Sequence, residues 1–415
     1  MYKFNFYYSL PFWGAVLFIA VFNRLLRHRH MVLRKWFLLI ASFLMILSLP
    51  NLSLIWALSI LGLSLITYLC GATLGSKKGI YGRTARKFIA GIGIGIVLLY
   101  LAFFKYHFLQ KIIVSALGFS RASSFQFVFL VGVSYFSFKM IHFLVDSYRT
   151  RIENLSLLQY LNFVFFFVPF ISGPINRYNN FSLQEVSSSR ADWKAGLERI
   201  VHGLFKKFVL AQILFPYILG NQGTQLDNLS LSGLILGLYS YAFYFYFDFA
   251  GYSDLAIGTA RLMGIGLPEN FNNPFLKRNI RELWTNWHMS LTNWLVDYIY
   301  WPIVRGLRNQ EFFRRHPIAL SNIGMVITFI ICGMWHGQAP HFIIWGAYHG
   351  VGIAILTIYQ RQKRKVKNAI LQSYFHSGIS HALGIFLTFN FFVFGLSLFV
   401  LDLPQLLTVA YGLFR

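Results

Sequence analysis

The sequence predicts an all-α, polytopic membrane protein, and three observations support this fold class. The chain of 415 residues is 56% hydrophobic and only 12% charged, whereas a soluble globular chain carries about 25% charged residues. Apolar runs close to the length of a membrane helix recur along the whole chain. Clusters of basic residues lie between those runs. We expect about nine to eleven transmembrane helices.

Several apolar runs are too short or too interrupted to be simple membrane spans. Residues 157–171 are apolar and lead into the polar stretch SGPINRY at 172–178. Non-helical backbone is tolerated at membrane depth only inside protein or beside a watery cavity. The sequence therefore predicts additional broken or re-entrant helices that surround a central passage.

The basic residues give the chain a net charge of +24, from 37 Lys and Arg against 13 Asp and Glu. They cluster at 23–35, 75–87, 305–316 and 361–367. Clusters between spans are typical of cytoplasmic loops and attract anionic membrane lipid. The alternative is a docking surface for an acidic carrier protein or a phosphate-bearing donor. Because the clusters flank spans and show no recognition motif, we do not expect nucleic acid binding.

The last two basic clusters bracket two apolar runs, 317–335 and 341–359. If both clusters face the cytoplasm, these runs cross the membrane and return. Each run rises roughly 27 Å as a helix, which is nearly the hydrocarbon thickness. His336 would then lie near the turn, away from the cytoplasmic face.

Three histidines lie close together in this region. His336 stands between Trp335 and Gly337, and a glycine allows close approach of a ligand to the backbone. We therefore interpret His336 as a functional residue. His341 and His349 are interpreted as packing or loop residues.

A second group of polar residues interrupts the aromatic region 242–300. Asp248, Asp254 and Asp297 are carboxylates in apolar surroundings, and His288 lies among tryptophans. An ionisable group at membrane depth is by default a functional-site hypothesis. The alternative is structural: the carboxylates pair with buried Arg or Trp N–H groups, and the histidine is a packed core residue. Both interpretations stay open for each residue.

Four ordered segments resemble the membrane-bound O-acyltransferase family. They are FDFAGYSDLAIG (247–258), ENFNNPF (269–275), WHMSLTNWLVDYIY (287–300) and WHG with FIIWGAYHG (335–350). Among its branches, the bacterial one that O-acetylates exported polysaccharides such as alginate is most similar. The branch that D-alanylates lipoteichoic acid is also similar, above all in SGPINRYNNF and NWHMSL. The pair Thr285–Asn286 departs from the partly basic pair of these relatives.

The resemblance implies a fold and a reaction. The fold is a single membrane-embedded domain over 1–415. Its parts are N-terminal spans (1–124), a catalytic core (125–360) and a C-terminal span (361–415). The reaction moves an acyl group, in the first instance acetyl, from a cytoplasmic thioester to hydroxyls of an exported polysaccharide or teichoic acid. The donor would be acetyl-CoA or the phosphopantetheine of an acyl carrier protein, and an exported partner acyltransferase could relay the group.

The resemblance also assigns roles to residues. His336 would be the general base, because a neutral imidazole suits proton removal from an attacking hydroxyl, and His288 the second catalytic group. The supporting residues would be Trp335, Asn286, Ser290, Asp297, Asp248 and Asp254. Trp335, Asn286 and Ser290 are the candidate donors to the oxyanion. We expect a multi-pass protein of the cell's inner or plasma membrane, in contact with lipid, without a permanently bound cofactor.

Three alternatives remain beside this hypothesis. Cys332 precedes His336 by four residues, so the two would share a helix face and could form an acyl-enzyme pair; we favour a buried thiol. A metal site is not expected, because Pro340 would break the helix needed to align His336 with His341. A D-alanyl transferase that uses a D-alanyl carrier protein is the nearest functional alternative. A proton-coupled transporter is the alternative from another class, and a non-enzymatic scaffold is disfavoured.

Overall fold

A computed structural model describes eight stretches of the chain. These are residues 9–26, 30–49, 52–75, 82–116, 130–152, 154–181, 190–219 and 230–413. Regular secondary structure in these stretches is helical, apart from one isolated antiparallel bridge between Phe271 and Trp287. The predicted all-α class is confirmed.

The described stretches contain twenty α-helices. The first eleven are α1 (Leu10–Leu25), α2 (Met31–Leu47), α3 (Leu54–Gly75), α4 (Arg83–Lys105), α5 (His107–Ala116), α6 (Val133–Tyr148), α7 (Leu157–Phe165), α8 (Tyr178–Phe181), α9 (Arg190–Phe205), α10 (Ala211–Leu214) and α11 (Leu231–Leu262). The remaining nine are α12 (Ile280–Asn286), α13 (Met289–Leu295), α14 (Trp301–Leu307), α15 (Glu311–Arg315), α16 (Pro317–His336), α17 (Pro340–Lys363), α18 (Ala369–His376), α19 (Gly378–Val400) and α20 (Leu403–Leu413). Two π-helical turns cover Lys206–Leu210 and Val296–Tyr300, and two 3₁₀ turns cover Phe215–Tyr217 and Pro274–Leu276.

Five of the described helices are long and apolar enough to cross a membrane. They are α3, α4, α16, α17 and α19. The shorter helix α1 is also apolar. Several membrane-length helices confirm the polytopic class, while the number of nine to eleven spans remains a prediction.

A broken helix occurs where the sequence predicted one. Helix α7 covers only nine residues and ends at Phe165, within the apolar run that was predicted to be interrupted. The buried Lys139 donates from its Nζ to the carbonyl oxygen of Phe163 at 3.0 Å. A cation at a helix C-terminus satisfies carbonyl groups that have no partner within the helix. Lys139 thus stabilises the end of α7 inside the protein.

The chain forms two compact units. The first comprises Met1–Gly203 and Tyr252–Pro268, and the second comprises Leu204–Gly251 and Glu269–Arg415. In the first unit, α9 and α11 pack closely at two glycines. A Cβ atom added to Gly258 would lie 2.7 Å from the carbonyl oxygen of Gly196. Only glycine allows the two helices this approach.

Two basic residues of the first cluster have structural partners within the first unit. The guanidinium of Arg24 donates to the carbonyl oxygens of Leu262 and Arg261, at 2.7 and 2.9 Å. Arg34 is 1% exposed and donates to Asn23 at 3.2 Å. Arg24 and Arg34 therefore also have a structural role, because they join the ends of neighbouring helices.

In the second unit, α16 and α17 form a tight antiparallel hairpin. A Cβ atom on Gly333 would lie 2.1 Å from the carbonyl oxygen of Phe342, and one on Gly346 would lie 2.3 Å from that of Phe329. Small residues let membrane helices approach until their backbones touch. This packing fixes the position of the turn that follows His336.

Candidate active site

His336 is the last residue of α16, and the short turn to α17 begins at Gly337. Its side chain is half-buried. The imidazole contacts three aromatic rings, with centroid distances of 4.6 Å to Trp335, 5.1 Å to Trp345 and 5.0 Å to Phe399. An imidazole in this position keeps one part of its surface open while aromatic contacts fix its orientation.

Gly337 has a different role from the one predicted. A Cβ atom at this position would lie 2.2 Å from the ring of Phe342. The glycine therefore makes room for a side chain of the same hairpin, and the interpretation that it admits a ligand was wrong. Its backbone φ of −171° is extended, so no special conformation requires glycine here.

His288 lies between α12 and α13 in a left-handed backbone conformation, with φ of 43° and ψ of 51°. Such a conformation costs a non-glycine residue about 1–3 kcal/mol and concentrates at functional sites. The side chain is 5% exposed and packs on Phe249 with a centroid distance of 4.7 Å. The fold thus holds His288 in a strained geometry deep inside the second unit.

Asn270 holds the segment that follows His288. Its backbone oxygen accepts from the N–H of Met289 at 2.9 Å, and its Oδ1 accepts from the Ser290 hydroxyl at 2.6 Å. The bridge between Phe271 and Trp287 extends this pairing on the other side of His288. Asn270 is only 1% exposed. Sequence reasoning missed this residue, although the block ENFNNPF, which contains it, was one of the four segments that carried the resemblance.

Neither ring nitrogen of His288 has a hydrogen-bond partner in the described structure, and both are buried. Burial lowers the pKa of this imidazole to about 3, and the residue lies outside the five candidate spans. Desolvation disfavours the charged form of a histidine. His288 is therefore neutral at physiological pH and offers one N–H donor and one nitrogen acceptor.

Both histidines border the same aromatic cluster. From His288 the ring contacts continue through Phe249 to Phe245 at 6.4 Å, and from Phe245 to Phe399 at 6.1 Å. Phe399 contacts His336. The two predicted catalytic histidines thus lie in one continuous apolar environment of the second unit.

The predicted oxyanion donors Asn286 and Ser290 are engaged elsewhere. The side-chain amide of Asn286 donates to the carbonyl oxygen of Glu282 at 2.8 Å, which extends the last turn of α12. The hydroxyl of Ser290 donates to Asn270. Trp335 is half-buried and lies against His336. Asn286 and Ser290 therefore support the backbone around His288 in this conformation.

The predicted carboxylates Asp254 and Asp248 take part in ion pairs. Asp254 accepts from Arg199 Nε at 2.6 Å in the first unit, and Asp248 pairs with Lys207 in the second. The side chain of Asp297 is exposed on the second π-helical turn. The arrangement of Asp248 and Asp254 favours the structural interpretation of both residues.

Three further residues of the α16–α17 hairpin that were weighed in the sequence pack in the interior. His341 and His349 are buried in α17, and Cys332 belongs to the apolar core of the second unit. Within the described stretches, His, Cys, Asp and Glu side chains form no group of three that could hold a metal ion.

Comparison with known proteins identifies relatives of both predicted branches. The chain is 34% identical to the teichoic acid D-alanyltransferase of Bacillus subtilis over 275 residues, which cover 65% of this chain and 68% of the relative. It is 31% identical to a probable alginate O-acetylase of Pseudomonas aeruginosa over 302 residues, covering 71% and 56%. It is 30% identical to the peptidoglycan O-acetyltransferase of Helicobacter pylori over 322 residues, covering 70% and 58%. The matches thus span little more than half of the last two relatives.

The sequence model of one family also covers most of the chain. The model of MBOAT, the membrane-bound O-acyltransferase family, matches residues 39–399. This range includes His336, His288 and all of the segments that carried the predicted resemblance. The chain belongs to the membrane-bound O-acyltransferase family.

Proposed function

We propose that this chain transfers an acyl group from a thioester donor to a hydroxyl of a cell-envelope polymer, with His336 as the general base. The observation that carries the proposal is the setting of His336. Its half-buried imidazole ends a membrane-length helix and contacts three aromatic rings. A neutral imidazole that remains reachable in dry surroundings suits proton removal from a hydroxyl.

The proposed acyl transfer needs no reactant other than the thioester donor and the acceptor hydroxyl. The acceptor hydroxyl gives its proton to His336 as its oxygen bonds to the thioester carbonyl carbon. The tetrahedral intermediate then breaks its C–S bond, and the protonated His336 returns the proton to the leaving thiolate. The products are an oxygen ester on the acceptor and a free thiol on the donor, and His336 is neutral again.

His288 would act as the second polar group of this site. Because its imidazole is neutral and its nitrogens are unpartnered, it can hold a hydroxyl by one hydrogen bond without a competing charge. We propose that it orients the acceptor hydroxyl. The strain at its backbone supports this role, since strained conformations persist where the surroundings enforce them for function.

The donor would approach the opposite end of the α16–α17 hairpin. Helix α16 begins at Pro317 and α17 ends at Lys363, so the basic segments beside them lie at one end. Exposed cations of those segments are Arg305, Arg308, Arg314, Arg315, Arg361, Arg364, Lys365 and Lys367. This end lies about 28 Å from His336 along the helix. An acidic carrier protein or CoA could dock there while its arm extends inward.

Two acyl groups are candidates. D-Alanyl is supported by the 34% identity to the Bacillus enzyme, of which the match covers 68%. Acetyl is supported by the two O-acetyltransferase relatives and by the segment GYSDLAIG. The acceptor would be a teichoic acid in the first case and an exported polysaccharide in the second. In either case the chain would lie in the inner or plasma membrane, and an exported partner could complete the transfer.

The experiment is ester analysis of the cell envelope. The full chain is expressed in a bacterium that lacks its own member of the family, and alkali-labile esters on isolated polymers are identified by mass spectrometry. We expect a new alanyl or acetyl ester with the wild-type chain and its loss in His336→Ala. Membranes are then supplied with labelled acetyl-CoA or with D-alanyl carrier protein, and the donor that transfers label identifies the branch. Full esterification in His336→Ala, at the wild-type amount of membrane protein, would contradict the proposal.

A further inference from the structure

Three buried side chains of the second unit contact one another beside the proposed site. Trp284 lies 5.7 Å from Trp345, and His349 lies 4.9 Å from Trp284 and 5.0 Å from Trp345, measured between ring centroids. All three pairs are edge-to-face. We call this group the Trp–Trp–His cluster.

The cluster contains four buried nitrogens without a hydrogen-bond partner. They are Nε1 of Trp284, Nε1 of Trp345, and Nδ1 and Nε2 of His349. Trp345 is 4% exposed and His349 is 0% exposed. More than nine in ten buried polar groups in proteins have a partner, so four orphans in mutual contact need an explanation. Two of them are obligate N–H donors, which favours an oxygen acceptor as the ligand.

Close packing holds His349 in this position. A Cβ atom on Gly395 of α19 would lie 2.6 Å from His349 Nε2, so the backbone of α19 closes one side of the ring. Tyr348 and Phe391 contact the same imidazole. A tightly packed polar ring that makes no hydrogen bond costs stability.

The cluster contacts His336 and includes a residue of the helix that leads to His288. Trp345 contacts the ring of His336 edge-on at 5.1 Å. Trp284 belongs to α12, whose last residue is followed by Trp287 and then His288. The cluster therefore connects the helix hairpin that ends in His336 to the short helix that leads to His288.

We propose that the Trp–Trp–His cluster binds the carbonyl oxygen of the acyl group, an inference that rests on the proposed function. The indole N–H groups of Trp345 and Trp284 donate to this oxygen as the hydroxyl attacks and its C=O electron pair moves onto it. No proton passes from the indoles, and the oxygen returns its electrons when the C–S bond breaks. His349 is a positioning residue that keeps the two indoles facing the carbonyl. These donors replace Asn286 and Ser290, which are engaged elsewhere.

The first test replaces the donors while keeping an aromatic ring. Trp345→Phe and Trp284→Phe are compared with Trp294→Phe, a buried tryptophan outside the cluster. Membranes receive whichever labelled donor, acetyl-CoA or D-alanyl carrier protein, the wild type uses. Loss of one oxyanion donor lowers kcat by about 10²-fold, and we expect this loss in Trp345→Phe with an unchanged KM. A kcat close to that of Trp294→Phe would overturn the proposal.

A second variant separates the hydrogen bond from packing. Position 345 is given 3-benzothienyl-alanine, which has the shape of tryptophan but carries sulfur in place of the N–H. A loss of kcat at the wild-type KM supports the cluster as the carbonyl site, and wild-type kcat overturns it. This variant tests the role of the indole N–H even if Trp345→Phe fails to fold.

The role of His349 is tested by rescue. His349→Phe keeps an aromatic ring without polar atoms, and His349→Gln keeps a donor and an acceptor. We expect His349→Gln to recover part of the kcat that His349→Phe loses. Equal and full activity in both variants would remove His349 from the cluster. If the cluster variants are active while His336→Ala is inactive, this inference fails alone; if His336→Ala is active, the proposed function fails.

Discussion

Polar groups in two regions of the molecule are buried in different ways. In the first unit, the helix pair α9 and α11 brings Arg199 to Asp254 at 2.6 Å and Arg261 to Asp192 at 3.0 Å. In the second unit, His288 and the Trp–Trp–His cluster have buried nitrogens without partners. In the sequence, Asp254 and His288 looked alike, as ionisable residues in apolar surroundings. The presence or absence of a partner distinguishes the two regions.

This difference indicates which buried groups are available for catalysis. A buried charge with a partner is already neutralised and would have to lose that partner before it could act on a substrate. A buried neutral nitrogen without a partner can bind a substrate without losing a bond. We therefore assign a structural role to the ion pairs of α9 and α11. We assign the catalytic roles to the histidines and indoles of the second unit.

The largest effect in this comparison is expected at His288. Both His288→Gly and His288→Ala remove the imidazole, and each should lower kcat by about 10²-fold, the cost of a misplaced reacting group. Their stabilities should differ, because glycine relieves the left-handed backbone and alanine does not. We expect the glycine variant to be about 1 kcal/mol more stable to thermal unfolding in detergent.

A smaller effect is expected at Asn270. Asn270→Ala removes the acceptor of the Ser290 hydroxyl and should lower kcat about tenfold through a shift of His288, since small displacements of catalytic groups are costly. Asn270→Asp keeps Oδ1 and should restore most of the activity. The exposed neighbour Asn272 is the control, and Asn272→Ala should behave as wild type. An Asn270→Asp variant as impaired as Asn270→Ala would argue against this positioning role.

The smallest effect on activity is expected at Asp254. Asp254→Asn breaks the pair with Arg199 and should lower the free energy of unfolding by about 1.5–3 kcal/mol, as for a charged hydrogen bond. Activity per folded molecule should not change, because the pair is structural. A loss of kcat at normal stability would return Asp254 to the catalytic site.

Much of the fold and part of the site could be predicted from the sequence, because both depend on local patterns. Apolar runs of membrane length predicted the all-α class, and the polar stretch SGPINRY after 157–171 predicted a broken helix. The ion pair between Arg199 and Asp254 could not be predicted, because the two residues are 55 positions apart in the sequence. The left-handed backbone of His288 was also not predictable, because the surrounding fold imposes it. Asn270 was missed because its bonds run to a segment twenty residues later.

Measurement of acyl transfer by His336→Ala, next to His376→Ala, tests the central claim most directly. His376 is an exposed histidine outside the site, so it controls for loss of an imidazole. With equal amounts of each variant in membranes, the account predicts a loss of at least about 10²-fold for His336→Ala and wild-type transfer for His376→Ala. Wild-type transfer by His336→Ala would contradict the account.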